Sequence, residues 1–486
     1  MPERGPVEVT VEIGGREVVA GTLWVHERRG ASATFQYDPA YLADPDAYPL
    51  DPAIPLSSGS AHTPAGKAMF NAFADSTPDR WGQNLMRQSA AAAGRTTPLT
   101  TADFLLGVRD DARQGAIRFR RPGTSDYFSA APDAVPRLVG LSRLLSASDR
   151  YLLGDPEGLA ELAGAGSSLG GARPKAAVVD DDGRLSIAKF SKRDDDWDLC
   201  GWEKLALDLA RRAGIRTEES SLAKIGKRSV LLVARFDRDA GRRIGFTSAL
   251  TMLEASDLET RSYPEIAEVL GKQSPTAAAD LEQLYRRMVF SILVSNTDDH
   301  LRNHGLLRTR GGWTLAPAYD INPNPETSGV HATMIGFDDP RGSIDTAILV
   351  AAEFGLNEAD ARRIAAEVEA ATRQWRGAAA ELGLRRSEID LMAAAFDTPE
   401  RQVAQGIDAK TAAGLTDPQP SQSPVTPERG TEWFTTGRAH LAHRLAGPSA
   451  YGTRAACGDL LRGERIVPPP AMGRCERCSK AGRAGG

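Results

Sequence analysis

Asp298 and Asn303 stand five positions apart in NTDDHLRNHG, directly behind the apolar run MVFSILVS, and a lone Asp320 closes the next strand-like stretch in LAPAYDIN. Carboxylates brought this close to an apolar segment are costly unless they are paired or hold a cation. Asp-x-x-x-x-Asn with a later aspartate suits phosphoryl transfer from ATP: the first Asp takes the proton of the acceptor hydroxyl, and the Asn and second Asp hold magnesium. The other parts such a site needs lie upstream, in order. GAGSSLGGARPK holds Ser168, Gly170, Gly171 and Ala172 and ends on Lys175; a glycine-rich loop lets backbone N–H groups wrap phosphate oxygens. Lys189 sits in the alternating LSIAKF, where it can neutralise phosphates, and Glu203 heads a helix from which it can fix that lysine. Each has an ordinary structural explanation too. Polar residues cap helix ends, strands carry exposed lysines, helices carry surface glutamates, and glycine-rich stretches connect elements. The order of the parts favours the nucleotide site.

The elements that must carry these residues follow from periodicity. VEVTVEIGGREVVAGTLWV reads as two strands around a Gly-Gly turn, and ASATFQYDP as a third. PAGKAMFNAFADSTPDRWGQNLMRQSAAAAG reads as helices broken at STPD, with Ser76 or Thr77 capping the second. GAIRFRRPG is a strand, followed by a helical stretch. AAVVDDDGRLSIAKF gives two strands joined by an Asp-Gly turn. WEKLALDLARRAGI is an amphipathic helix closed by Gly214, and RSVLLVARFDR is a buried strand whose last residues form an ion-pair cluster. Residues 261–300 and 356–396 are helical by pattern, and GLTDPQPSQSPVTPERG is a linker.

A chain of 486 residues exceeds one ordinary core and implies several domains. Its net charge of -5 argues against binding nucleic acid by bulk electrostatics. No apolar run approaches the roughly 20 residues that span a bilayer, and the N-terminus lacks a basic-then-apolar signal segment, so a cytoplasmic protein without membrane contacts is expected. Cys200 stands alone, whereas Cys457, Cys475 and Cys478 gather near the C-terminus. With His440 or His443 as a fourth ligand they suit a tetrahedral structural Zn2+, which would supply folding energy to a segment too small for a core. Incidental cysteines in an unstructured tail are the alternative.

Taken together, SSLGGARPKAAVV, IAKF, ARFDR, NTDDHLRNHG and APAYDI, with AGTLWV, FQYDPAYL, PLDPAIPLS and FADSTPDRWGQNLM nearer the N-terminus, resemble the HipA family, bacterial serine/threonine kinases of toxin–antitoxin systems. The resemblance implies a mixed α/β (α+β) fold: a β-rich N-terminal domain over 1–130, then a two-lobed, protein-kinase-like core. That core comprises a small lobe with the phosphate loop over 131–260 and a helical catalytic lobe over 261–410. A Pro/Ser-rich linker at 411–430 and a zinc-binding tail at 431–486 complete the layout.

The resemblance also implies roles. Asp298 is the catalytic base, and Asn303 and Asp320 are Mg2+ ligands. ATP is held by Ser168, Gly170, Gly171, Ala172, Lys175, Lys189 and Glu203, with the backbone at Ala234 and Phe236 meeting adenine. His300, hydrogen-bonded within the loop, and Arg302 support the catalytic loop. Asp299 adds a carboxylate beside the base and tunes its proton affinity. Ser168, with Ser167 as competitor, is the site of self-inactivating autophosphorylation. The implied substrate is a serine or threonine of a protein, an aminoacyl-tRNA synthetase, whose inhibition halts translation. The implied partner is a HipB-like helix-turn-helix antitoxin, through which alone the protein meets DNA. A catalytically silent nucleotide-binding corepressor and a small-molecule kinase are the alternatives.

Overall fold

The computed structural model describes residues 5–27, 31–129, 135–164 and 173–412, apart from positions 181, 258 and 327, and beyond these only the backbone of short strands between 433 and 474. The fold is mixed α/β. Alternating valines put Val7, Val9 and Val11 of β1 (Val7–Ile13) on one buried face. Gly14 and Gly15, both at positive φ, turn the chain into β2 (Arg16–His26). With β3 (Ser32–Tyr37), β4 (Ser60–His62) and β5 (Ile117–Arg120) they form an antiparallel sheet in the order β4-β3-β2-β1-β5.

Helix α1 (Arg80–Ala92) follows the STPD break, but neither Ser76 nor Thr77 caps it. Asp79 does, accepting from the Gly82 N–H at 2.7 Å, while the Ser76 and Thr77 hydroxyls donate back to the Phe73 and Ala74 carbonyls. Those hydroxyls finish the preceding turn (Asn71–Ala74), so the residue immediately before Arg80 takes the cap.

A second sheet is antiparallel, in the order β6 (Lys175–Val179), β7 (Leu185–Phe190), β9 (Arg228–Ala234), β8 (Ser220–Ile225). Helix α2 (Leu141–Leu152) covers it with Leu141, Leu144 and Leu145 against Val178, Phe190 and Val230. Trp81 of α1 meets Tyr151 edge-on at 4.9 Å between ring centroids, which ties the N-terminal part to α2. Helix α4 (Leu199–Arg212), α3 being Pro156–Gly164, begins at an Asp198 cap and ends before Gly214 at positive φ.

β10 (Phe246–Ser248), β11 (Gly305–Thr309) and β12 (Gly312–Leu315) make a third sheet beside α5 (Tyr263–Gln273) and α6 (Ala277–Leu293). MVFSIL of the apolar run MVFSILVS is the end of α6, and Val294 and Ser295 lead out of it. Met288, Val289, Phe290, Ile292 and Leu293 are all buried, because this helix is wrapped on every side. Helices α7 (Glu358–Thr372), α8 (Arg386–Phe396) and α9 (Pro399–Ala412) complete the helical part. One hydrophobic core runs from Val9, Phe35 and Phe119 through Trp202 and Leu209 to Phe290 and Ile364, so sheet and helices are joined by packed side chains. Among the described residues, no helix is long and apolar enough to cross a membrane.

Candidate active site

Lys175 and Lys189 are direct cross-strand partners on β6 and β7, which puts two cationic side chains on one face of the sheet. Like charges opposite one another destabilise a sheet, and carboxylates from three distant elements compensate. Lys189 Nζ donates to Glu203 Oε1 at 2.6 Å and to Asp320 Oδ1 at 2.8 Å. Lys175 Nζ donates to Asp79 Oδ2 at 2.8 Å. Burial pulls the Lys189 ammonium towards neutrality, but Asp320 and Glu203 outweigh it and raise its proton affinity. Burial likewise pushes the Asp320 carboxyl up, and Lys189 and then Lys175 reverse this, holding it well below the usual carboxylate range. Burial also raises the Glu203 carboxyl, against the pull of Lys189.

Asp320 has φ 56, in the left-handed region, and Ser295 at the exit of α6 has φ 50. Backbone in this region is strained for a residue with a side chain and collects at functional sites. Two loops meet here. The Asn322 N–H donates to Asn296 Oδ1 at 2.9 Å, tying the Asp320 loop to the segment that carries Asp298. Asn303 is buried and its Nδ2 donates to the Asp298 carbonyl at 3.2 Å, a bond that does not engage its own amide oxygen. The Asp298 carboxylate is exposed at the surface of the loop. Its proton affinity is raised by partial desolvation; His300 opposes this, and the charges of Asp320 and Asp299 add to it.

Asp299 turns inward. It accepts from Tyr263 Oη and from Ser291 Oγ at 3.2 Å and lies 3.2 Å from His304 Nε2; burial pushes its carboxyl up, but His304 prevails and holds it at about 2. It thus acts on Asp298 through space only. His300 is hydrogen-bonded within the loop through its backbone: its N–H donates to the Asp298 carbonyl and its carbonyl accepts from the Asn303 N–H, while the residue is exposed. Arg302 points away from Asp298. Its guanidinium grips Asp257 at 2.8 and 3.2 Å and Asp75 at 3.0 Å, and its carbonyl accepts from Tyr319 Oη at 2.6 Å.

At the end of β9, the Ala234 and Arg235 N–H groups are already bonded to the Glu219 and Leu185 carbonyls. An adenine ring there would have to use other backbone groups. Phe236 packs at 5.3 Å between ring centroids on Tyr319, the residue before Asp320. The ARFDR ion-pair cluster is structural: Arg235 binds Asp237 and the Ala112 carbonyl at 2.7 Å, docking this strand end onto the N-terminal part. Ser167, Ser168, Gly170, Gly171 and Ala172 lie outside the described residues, as do Cys457, Cys475 and Cys478; His440 and His443 are described only as backbone of the strand Ala439–Ser449. Among the described residues, no group of three or more His, Cys, Asp or Glu could hold a metal ion.

Asp75 and Asp79 escaped sequence reasoning. Two carboxylates flanking Ser-Thr-Pro look like ordinary turn and capping chemistry, and no spacing rule links them to residues of a distant lobe.

Residues 11–120 match the HipA N-terminal domain and residues 167–375 the HipA-like C-terminal domain. The Sinorhizobium fredii protein named "Putative kinase Y4mE" is 25% identical over 317 residues, covering 59% of this chain and 71% of that protein. A second protein of that organism, "Putative kinase Y4dM", is 34% identical over 95 residues, 19% of this chain and 23% of that protein. Among solved structures, the Shewanella oneidensis MR-1 toxin–antitoxin HipA, determined with HipB and its operator DNA, superposes with a TM-score of 0.56 at 16% identity, over 84% of this chain and 97% of that one. That likeness concerns the fold. The two domain matches fall on the N-terminal sheet and on the stretch carrying both lysines, the Asp298 loop and Asp320, and with them the chain belongs to the HipA family of kinases.

Proposed function

We propose that this protein transfers the γ-phosphate of ATP to a serine or threonine hydroxyl of another protein, an aminoacyl-tRNA synthetase being the substrate class, and so slows translation. The observation that carries this reading is the meeting of Lys189, Glu203 and Asp320 within 2.6 and 2.8 Å, tied through Asn296 and Asn322 to the Asp298–Asn303 loop. The residues fit the group they would hold. Asp320 and Asn303 offer one carboxylate and one amide oxygen, the sparse protein donor set that magnesium accepts while keeping water ligands. Bound Mg2+ and ATP supply the transferable phosphoryl group with its charge neutralised. Glu203 keeps Lys189 aimed at the phosphate side, Lys175 adds a second positive charge, and Asp298 orients and deprotonates the acceptor hydroxyl.

Ser168 as the autophosphorylated residue, the Ser168–Ala172 loop and the Ala234–Phe236 backbone as ATP contacts, and a HipB-like antitoxin as partner belong to the same proposal. The partner is supported by the similar Shewanella oneidensis HipA, whose structure is that of a complex with HipB and operator DNA. Incubation of the purified protein with γ-labelled ATP and a cell lysate tests the reading. Label on a synthetase is the expected result. Label on a metabolite makes the protein a small-molecule kinase, and no transfer at all makes it a silent nucleotide-binding partner.

A pH profile adds a check. Asp298 works as a base only when ionised, so its raised proton affinity places the acid-side loss of activity above the ordinary aspartate range. His300 opposes that rise, so His300→Gln moves the acid limb of kcat upward in pH. A limb that stays put, or moves down, would remove His300 from the electrostatics of the base.

The zinc tail is a separate proposal resting on cysteine spacing: His440 or His443 with Cys457, Cys475 and Cys478. Metal analysis of protein purified without chelator should find about one zinc per chain, lost in a Cys475→Ser/Cys478→Ser variant.

A further inference from the structure

The turn between the short helix Asn71–Ala74 and α1 carries two carboxylates, Asp75 and Asp79, both nearly fully buried. Each receives a cation from a different part of the proposed site. Asp75 takes Arg302 of the catalytic loop at 3.0 Å, and is otherwise saturated by the Ser248 N–H and Oγ, both at 2.8 Å, and Thr251 Oγ1 at 2.7 Å. Asp79 takes Lys175 of β6 at 2.8 Å, with 3% of the lysine side chain and 7% of the aspartate side chain exposed. Lys175 is the cross-strand neighbour of Lys189, and Arg302 is the neighbour of Asn303. The anchor of the phosphate-side lysine and the anchor of the catalytic loop are therefore close along the chain, separated by at most about 14 Å of extended backbone. The span is stiffened by Pro78, by the Ser76 and Thr77 hydroxyl bonds, and by buried Arg113, which donates to the Ser76 carbonyl at 3.2 Å.

We propose that this turn of the N-terminal domain is a strap that positions both halves of the kinase site: Asp79 holds Lys175 for the phosphates, and Asp75, through Arg302, holds the loop that carries Asp298 and Asn303. The strap's role rests on the kinase reading above. Asp75 and Asp79 are positioning residues, since neither reaches the reacting atoms. Their effects divide between binding and chemistry. Loss of the Asp79 charge takes from Lys175 the carboxylate that fixes it beside Lys189, so nucleotide binding suffers. Loss of the charge on Asp75 releases one arm of Arg302 and loosens the loop, so the transfer step suffers.

Full-length Asp79→Asn, Asp75→Asn, Lys175→Met and Asp79→Asn/Lys175→Met proteins test the proposal, with MgATP titration and steady-state transfer normalised to the folded fraction. Asp79→Asn is expected to raise KM for MgATP about tenfold with kcat within about twofold, and Asp75→Asn to lower kcat about tenfold with KM within about twofold. In the Lys175→Met background, Asp79→Asn should raise KM no further, because Asp79 acts on nucleotide binding through that lysine and asparagine can still cap α1; this double variant removes both charges of the pair together and so guards against simple unfolding. If the variants melt earlier but keep wild-type KM and kcat per folded molecule, or lose both in parallel, the strap is only structural and the proposal falls. A wild-type protein that neither binds nor turns over MgATP would instead overturn the kinase reading, and the strap's role with it.

Discussion

Asp298→Ala should slow phosphoryl transfer a hundred- to ten-thousand-fold, roughly the contribution of a positioned general base, while MgATP affinity and thermal stability stay near wild type. The separation follows from how the residue is used. Its carbonyl holds the loop, accepting from the His300 N–H at 2.9 Å and from Asn303 Nδ2 at 3.2 Å, and alanine keeps that carbonyl. Its carboxylate is exposed, so alanine removes no buried packing. Lys189, Glu203 and Asp320 are untouched by the change, so their cluster stays assembled. Single-turnover transfer alongside equilibrium nucleotide binding would read the two effects apart. A variant that keeps a tenth or more of the wild-type rate would show that Asp298 is not the base.

Lys189→Met has the opposite character, because it damages fold and function at once. The lysine is the shared cation of two carboxylates, Glu203 almost fully buried and Asp320 with about a quarter of its side chain exposed. Removing one partner of a buried ion pair typically costs about 3–5 kcal/mol, since the remaining charge is left uncompensated. ATP binding should be lost with it.

The pH dependence gives this prediction a sign. In the wild-type protein the Asp320 carboxyl is held low, so its contribution is present above the unfolded aspartate value and lost as pH falls through the folded one. Lys189 is held high, so its contribution is present below the unfolded lysine value and lost as pH rises through the folded one. The pair therefore stabilises across the neutral range. In the methionine variant burial pushes both acids up with only the more distant Lys175 opposing it, so the deficit should be smallest near about pH 4, where they protonate cheaply, and grow towards neutrality. Denaturant unfolding at acid and neutral pH would show it; a deficit that does not vary with pH would mean that the triad is not electrostatically coupled. Adding Asp320→Asn to the variant should recover part of the lost stability, since it removes one of the two stranded charges.

Local pattern determined a good part of this protein. The valine alternation of residues 7–13 and the Gly14-Gly15 turn specify a hairpin by themselves, because a strand's two faces and a positive-φ turn are properties of consecutive residues. The amphipathic stretch after Asp198 likewise specifies α4, and the order Lys189, Glu203, Asp298, Asn303, Asp320 was enough to point to a phosphoryl-transfer site. The physical partners of those groups were not available to such reasoning. Asp79 lies 96 residues from Lys175, and Asp75 lies 227 residues from Arg302.

Which way a side chain turns was equally out of reach. Asp298 and Asp299 are adjacent and chemically identical, yet one faces outward and the other is buried against His304 and Tyr263. Arg302 leaves the site to grip Asp75 and Asp257, and the cap of α1 falls to Asp79 because Ser76 and Thr77 spend their hydroxyls on the turn before it. Sequence alone sets the repertoire of charges and the elements that carry them. Only the folded chain decides which charges share a low-dielectric space, because that neutralisation acts between groups brought together by packing and not by their spacing along the backbone.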